Sequence, residues 1–160
     1  MNRAVVSSIM LLLLILSSFF FQMGPAKEKI NSDLIIKIPE INLEQNIILG
    51  SYEMEEINVG VTMFPQSDYP IKKYSNLALA AHNGNTNKSF FKDIYKLEIN
   101  DLIYIYHNDN IFKYLIIEKK IIFADEVKII TKKYDKRIVT LVTCILSNKK
   151  KRLVIIAREK

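Results

Sequence analysis

The stretch that decides the fold is "DLIYIYHNDNIFKYLIIEKKIIF", Asp101 to Phe123. Two runs rich in Ile, Tyr and Phe flank the turn residues Asn108, Asp109 and Asn110. β-Branched and aromatic runs on either side of such a turn read as two antiparallel strands. Taken alone, "IIEKKII" also suits a helix, but the turn beside it favours the strand.

Working outward, the same grammar repeats. "DLIIKIPEINLEQNIIL" (Asp33 to Leu49) divides into two short β-rich runs at Pro39, which has no N–H for a ladder and sits best at a strand end. "YEMEEINVG" reads as a turn or short helix, and "MFPQSDYPIKKYSN" as loop, marked by Pro65 and Pro70. "LALAAH" (Leu77 to His82) is an apolar run too short to prefer a helix, and the turn-rich "NGNTNKS" follows it directly. In "FFKDIYKL" the residues Phe90, Phe91, Ile94 and Leu97 share one face at helical spacing, which predicts a turn or two of helix. The chain closes with "RIVTLVTC" and "RLVIIARE", joined by "ILSNKKK". Seven or eight short strands with little helix predict an all-β closed or nearly closed barrel.

The first residues have a different character. From Ala4 to Phe21 no residue is charged, close to the roughly 20 apolar residues that cross a bilayer as a helix. A long apolar core, no small-x-small cleavage site and Pro25 downstream favour an uncleaved anchor over a cleaved signal peptide. The expected organisation is a cytoplasmic tail over residues 1–3, a transmembrane signal-anchor over 4–23, a linker over 24–33 and one barrel domain over 34–160. The short tail stays inside and the domain is exported, so the protein is expected at the cell membrane as a single-pass protein. With 23 Lys and Arg against 17 acids the net charge is +6. That excess is scattered and not gathered into a basic helix with interleaved aromatics, which argues against nucleic acid as a partner and suits anionic wall polymers or lipid headgroups.

Cys144 is the only cysteine of the chain. In an exported domain an unpaired cysteine points to a reactive thiol or to intermolecular bonding. It ends one strand, and Arg152 begins the next. If the two strands are antiparallel neighbours, thiol and guanidinium meet at one rim. A nearby cation favours the nucleophilic thiolate, and an arginine fork suits a carbonyl oxygen gaining negative charge. His82, at the end of "LALAAH", is expected at a rim too, as an acid/base partner. The plainer readings stay open: Cys144 as a small core hydrophobe, His82 as a turn cap. Ala81, Val142 and Thr143, which flank the two, are the candidate substrate contacts.

These residues carry a resemblance. "IPEINLEQNIILG", "LALAAHNGN", "FFKDIYKLEINDLIYIY", "TLVTC" and "RLVIIARE" together resemble the sortases, membrane-anchored cysteine transpeptidases of Gram-positive bacteria, from about Ile38 to Glu159. "TLVTC" fits the family signature TLxTC, with a histidine upstream and an arginine downstream. The resemblance implies an eight-stranded sortase barrel with Cys144 as nucleophile, His82 as proton-transfer residue and Arg152 as the arginine. Arg158, six residues on, competes for that last role. Two features depart from the pattern: Ala81 stands where glycine is usual before the histidine, and the connection after Cys144 lacks the aromatic or proline residues often found there.

The implied reaction is a two-step acyl transfer. The thiolate cleaves a Leu-Pro-x-Thr-Gly-like sorting motif of a surface protein, and the amine of a peptidoglycan precursor resolves the thioester. No metal or organic cofactor is implied. Some class A members use calcium, but Asp125 and Glu126 read as an ordinary turn. The absence of a second membrane segment or a lid-like extension in this sequence points to an anchoring enzyme of class A or class D kind. A cysteine peptidase and a non-catalytic barrel binding module are the rival functions.

Overall fold

The computed structural model describes residues 33–126 and 128–160; the expected tail, anchor and all but the last residue of the linker lie outside them. Eight strands close into a barrel in the order β1-β2-β3-β4-β7-β8-β6-β5. They are β1 (Leu34–Ile38), β2 (Leu43–Leu49), β3 (Val61–Met63), β4 (Asn76–Ala80), β5 (Leu102–His107), β6 (Asn110–Phe123), β7 (Ile138–Ile145) and β8 (Asn148–Glu159). Closure gives each of the eight strands two neighbours. The hairpin read from Asp101 to Phe123 forms as expected, with β5 and β6 paired from Leu102↔Leu115 to His107↔Asn110. "IIEKKII" is strand throughout.

Alternation builds two cores. Inward-facing Leu77, Leu79, Val139, Leu141, Ile155 and their neighbours fill the barrel, while Ile138, Val142, Val154 and Ile156 form a second cluster on its outer face. The segment from Phe90 to Leu97 shows why helical spacing appeared in the sequence. It forms turns and a 3-10 helix at Ile94–Lys96, and it inserts Phe91, Ile94 and Leu97 into the barrel core. Full burial of such a side chain contributes about 1.5–3 kcal/mol, enough to hold this connection over the barrel mouth.

Two details differ from expectation. "ILSNKKK" is not a seven-residue loop: β7 runs to Ile145 and β8 starts at Asn148, so only Leu146 and Ser147 connect them and Lys149 to Lys151 belong to the strand. The β6–β7 connection, read as a turn around Asp125 and Glu126, also contains a short α-helical turn at Lys128–Thr131. The Asp125–Glu126 turn itself is present, with Glu126 Oε2 accepting the Phe123 backbone N–H at 2.6 Å.

Asn76 holds that connection against the outer face. It is 2% exposed, its Nδ2 donates to the carbonyls of Ile129 (3.1 Å) and Ile130 (3.0 Å), and its Oδ1 accepts from Thr140 Oγ1 at 2.8 Å. Asp68 adds a second tie, pairing with Lys72 at 2.6 Å and with Lys133 of the connection at 3.0 Å. Burial pushes the Asp68 carboxyl up, but the two lysines outweigh it and hold it below the usual carboxylate range. Asn76→Ala would strip partners from a buried hydroxyl and from carbonyls. We expect a loss of about 1–3 kcal/mol in urea unfolding and faster proteolysis within residues 124–137 than elsewhere. A uniform change in cleavage along the chain would contradict the local role of Asn76.

Candidate active site

The site follows from strand register. β4 and β7 run parallel, paired from Asn76↔Ile138 to Ala80↔Val142. β7 and β8 run antiparallel, with Cys144 opposite Arg152. Successive side chains alternate between faces. Since Ile138 and Val142 lie in the outer cluster, Cys144 shares their outward face, and Arg152 shares it with Val154 and Ile156. Counting two residues past Ala80 and two past Val142 sets His82 beside Cys144.

Hydrogen bonds carry the alignment beyond the end of the β4 ladder. Thr143 Oγ1 donates to the Ala81 carbonyl at 2.8 Å, and Asn83 Nδ2 donates to the Cys144 carbonyl at 3.0 Å. His82, Cys144 and Arg152 therefore stand in one row across three adjacent strands, which lie about 4.8 Å apart. All three are partly exposed. The register shifts between Cys144 and Ile145, the kind of bulge that re-aims side chains at a rim.

The histidine is oriented from its far side. Asn58, in the 3-10 turn Glu55–Asn58, donates through Nδ2 to the Glu55 carbonyl at 3.0 Å. Its Oδ1 lies 3.1 Å from His82 Nε2. With the amide assigned that way, Nε2 carries a proton and Nδ1 is the nitrogen that exchanges one. Glu56 braces the same turn, its Oε2 accepting from the Ser51 backbone N–H and Oγ at 3.0 and 3.1 Å. Those bonds, led by the backbone N–H, hold the Glu56 carboxyl below its ordinary range. Neither Asn58 nor Asn83 stood out in the sequence, because an asparagine in a turn-rich string is ordinary turn chemistry.

Arg152 NH1 donates to the carbonyls of Lys149 (2.8 Å) and Lys151 (3.0 Å), which leaves Nε–H and NH2 as the donors for a ligand. Arg158 is six residues further along β8, opposite Ile138 at the other end of β7, about 20 Å away at the rise of a strand. Only Arg152 shares the row with Cys144. His107 is elsewhere too, at the end of β5 with its ring 5.8 Å from that of Tyr69.

Of the flanking residues, Val142 faces outward beside the row. Ala81 and Thr143 do not: each is 2% exposed, Ala81 belongs to the barrel core and the Thr143 hydroxyl is spent on Ala81. Alternation turns their side chains inward, so they support the row from beneath. Glycine is required just beyond the histidine: Gly84 adopts φ +153°, and a Cβ there would stand 3.1 Å from Ser89 Oγ.

Two hollows open near the row. One, of about 780 Å³, lies between β6 and the β6–β7 connection and includes Ile122, Ile129, Lys120 and Lys128; Ile122 is the β6 partner of Arg152. The other, of about 610 Å³, lies over the barrel mouth and has Cys144 itself in its wall.

The closed eight-stranded barrel that carries this row is what the comparisons with known proteins also point to. The family model described as "Sortase domain" matches residues 36–160, and the chain belongs to the sortase family. It is similar to Sortase A of Bacillus anthracis, 28% identical over 121 residues that cover 75% of this chain and 56% of the relative. Among solved structures it is similar to a Clostridium perfringens Sortase D5 transpeptidase, with TM-score 0.69 and 25% identity over 79% of this chain and 78% of that one. A lid mutant of Sortase A from Corynebacterium diphtheriae shares the fold, with TM-score 0.75 at 21% identity over 87% of this chain and 75% of that one. The chain spans little more than half the length of the curated relatives it matches.

Asn58→Ala removes the acceptor that selects one ring tautomer. We expect ¹⁵N spectra of His82 to change from one dominant tautomer to a mixture. Turnover should fall about 2–10-fold, the worth of one modest hydrogen bond. An unchanged tautomer would show that Asn58 does not orient the ring.

Proposed function

We propose that this protein is a membrane-anchored cysteine transpeptidase that cleaves a Leu-Pro-x-Thr-Gly-like sorting motif and joins the released carboxyl end to the amine of a peptidoglycan precursor. The single observation that carries the reading is the outward row of His82, Cys144 and Arg152. Family membership supports the reaction class.

The chemistry runs in two steps. The Cys144 thiolate attacks the scissile carbonyl between Thr and Gly, and the remaining N–H donors of Arg152 meet the developing oxyanion, where fixed donors are worth most. The His82 cation then protonates the leaving amine, giving a thioester and a neutral imidazole. An incoming amine attacks the thioester carbon, the C–S bond breaks, and His82 takes the surplus proton. Thiolate and imidazolium are thereby restored.

The outer groove fits the peptide. Ile122 and Ile129 line it and pack against the buried Val142 and Val154, an apolar wall suited to the Leu and Pro of the motif. The chemistry needs no metal or organic cofactor. The uncharged run from Ala4 to Phe21 supports an anchor that keeps the domain outside the membrane, next to sorting-signal proteins and cell-wall precursors.

A fluorogenic Leu-Pro-x-Thr-Gly peptide, given with and without an amine, tests the proposal. We expect cleavage in both cases and an amide product when the amine is present. Acid alone would make the protein a cysteine peptidase, and no cleavage would favour a binding barrel. Arg152→Lys keeps the charge but loses the planar fork. Acylation should then drop by about 10²-fold, whereas Arg158→Lys should leave it unchanged. The reverse pattern would refute the role of Arg152.

A further inference from the structure

The β3–β4 connection carries a protrusion that the chemistry at Cys144 does not use. Ile71, Lys72, Lys73 and Tyr74 are exposed in succession between buried Pro70 and buried Ser75. Ile71 is 57% exposed and Tyr74 50%, so two large apolar side chains stand beside two lysines at one loop tip. Resting on the anchor reading above, we propose that this tip docks the barrel onto the anionic surface of the bilayer that holds the N-terminal segment.

The tip stands where the chain enters the barrel. Leu34, the first residue of β1, pairs with His107, and the His107 ring lies 5.8 Å from that of Tyr69, at the root of the tip. The residues read as linker, 24–33, span at most about 35 Å when fully extended. A bilayer holding the apolar segment is therefore within reach of the tip, and a tethered surface can be held by weak contacts. The turn is also firmly built. The Lys72 backbone N–H donates to the Tyr69 carbonyl at 3.1 Å, and Arg137, itself paired with Glu159 at 2.7 Å, donates through NH2 to the Ile71 carbonyl at 3.5 Å.

Its chemistry fits a headgroup layer, where amphipathic tyrosines and long lysine stems place an apolar body in the boundary and a polar end in water. Lys73 Nζ lies 5.0 Å from the centroid of the Tyr74 ring, and Lys73 has no ion-pair partner among the described residues. The carboxylate at the root, Asp68, is met within the protein by Lys72 and Lys133. Tyr74 adopts a left-handed φ of +60°, a strained conformation for a bulky residue and of the kind retained at functional positions. An anionic surface strengthens such a contact about fivefold per lysine. Docking also orients the site. Arg137, which holds Ile71, precedes Ile138 at the start of β7, and Cys144 lies near the other end of that strand, about 20 Å further along. With the tip on the bilayer, the row of His82, Cys144 and Arg152 is held at the end of the barrel away from the lipid.

The chain contains no tryptophan, so a single indole reports its own surroundings. The full chain carrying Tyr74→Trp, or Leu146→Trp in the exposed β7–β8 link beside Cys144, is placed in nanodiscs of brominated phosphatidylcholine alone or mixed with brominated phosphatidylglycerol. With phosphatidylglycerol, Tyr74→Trp emission should shift to the blue and fall about twofold, and about 1 M sodium chloride should reverse both changes. Leu146→Trp emission should respond to neither lipid nor salt, and adding Lys72→Gln and Lys73→Gln to Tyr74→Trp should lift most of the quenching. Hydrogen exchange of the unsubstituted chain reads the same contact without an added indole: the amides of residues 71–75 should exchange more slowly in the phosphatidylglycerol discs than in phosphatidylcholine alone. Equal quenching at the two positions, or equal exchange in the two kinds of disc, overturns the docking. Retention judges the anchor separately. A chain that stays with the discs in high salt, yet shows no quenching of Tyr74→Trp in low salt, overturns the docking alone. A chain that washes off overturns the anchor reading and the docking with it.

Discussion

The parallel ladder between β4 and β7 is the constraint on which the site depends. Its pairs, from Asn76↔Ile138 to Ala80↔Val142, decide which residue of "TLVTC" stands beside the histidine. Side-chain period along a strand is two, so a slip of one residue would turn Cys144 into the barrel and Thr143 outward. Two things fix the register. Inward Leu77, Leu79, Val139 and Leu141 have no other core to enter, and Asn76 binds Thr140 across the ladder. The two buried threonines of β7 add to this, Thr140 through Asn76 and Thr143 through the Ala81 carbonyl.

Cys144 itself stands where two faces of the barrel meet. Its row partners lie on the outer face, above the apolar cluster of Val142 and Val154, while the hollow over the mouth reaches it from the inner rim. The bulge after Cys144 ends the alternation that would assign it to one side only.

Much of the barrel was legible in the sequence because its signals are local. The Asn108–Asp109 turn, the break at Pro39 and the alternation in "RIVTLVTC" all act within a few residues. The closeness of Cys144 and Arg152 was also legible, since antiparallel neighbours joined by a short link must meet at one rim. The structure makes that link shorter than the sequence indicated, as strand pairing extends into the lysines 149 to 151. What stayed hidden depends on contacts distant in the chain. Asn58 meets His82 across 24 residues and Asn83 meets Cys144 across 61, and neither asparagine differs in sequence from its turn-forming neighbours. Ala81 and Thr143 adjoin the reactive residues in the chain, yet adjacency along a strand means opposite faces, and both side chains are buried. The helical spacing of "FFKDIYKL" reflected the need to bury three side chains in the barrel mouth, which turns meet as well as a helix would.

The account stands or falls on one spatial claim, that His82, Cys144 and Arg152 share an outward row. Labelling Cys144 with a small methanethiosulfonate under native conditions while following the NMR signals of both histidines and the arginine side chains tests it most directly. The thiol should react without denaturant, and the resonances of His82 and Arg152 should shift while those of His107 and Arg158 stay in place. A thiol that reacts only in denaturant, or labelling that leaves His82 unmoved, would contradict the row and the mechanism built on it.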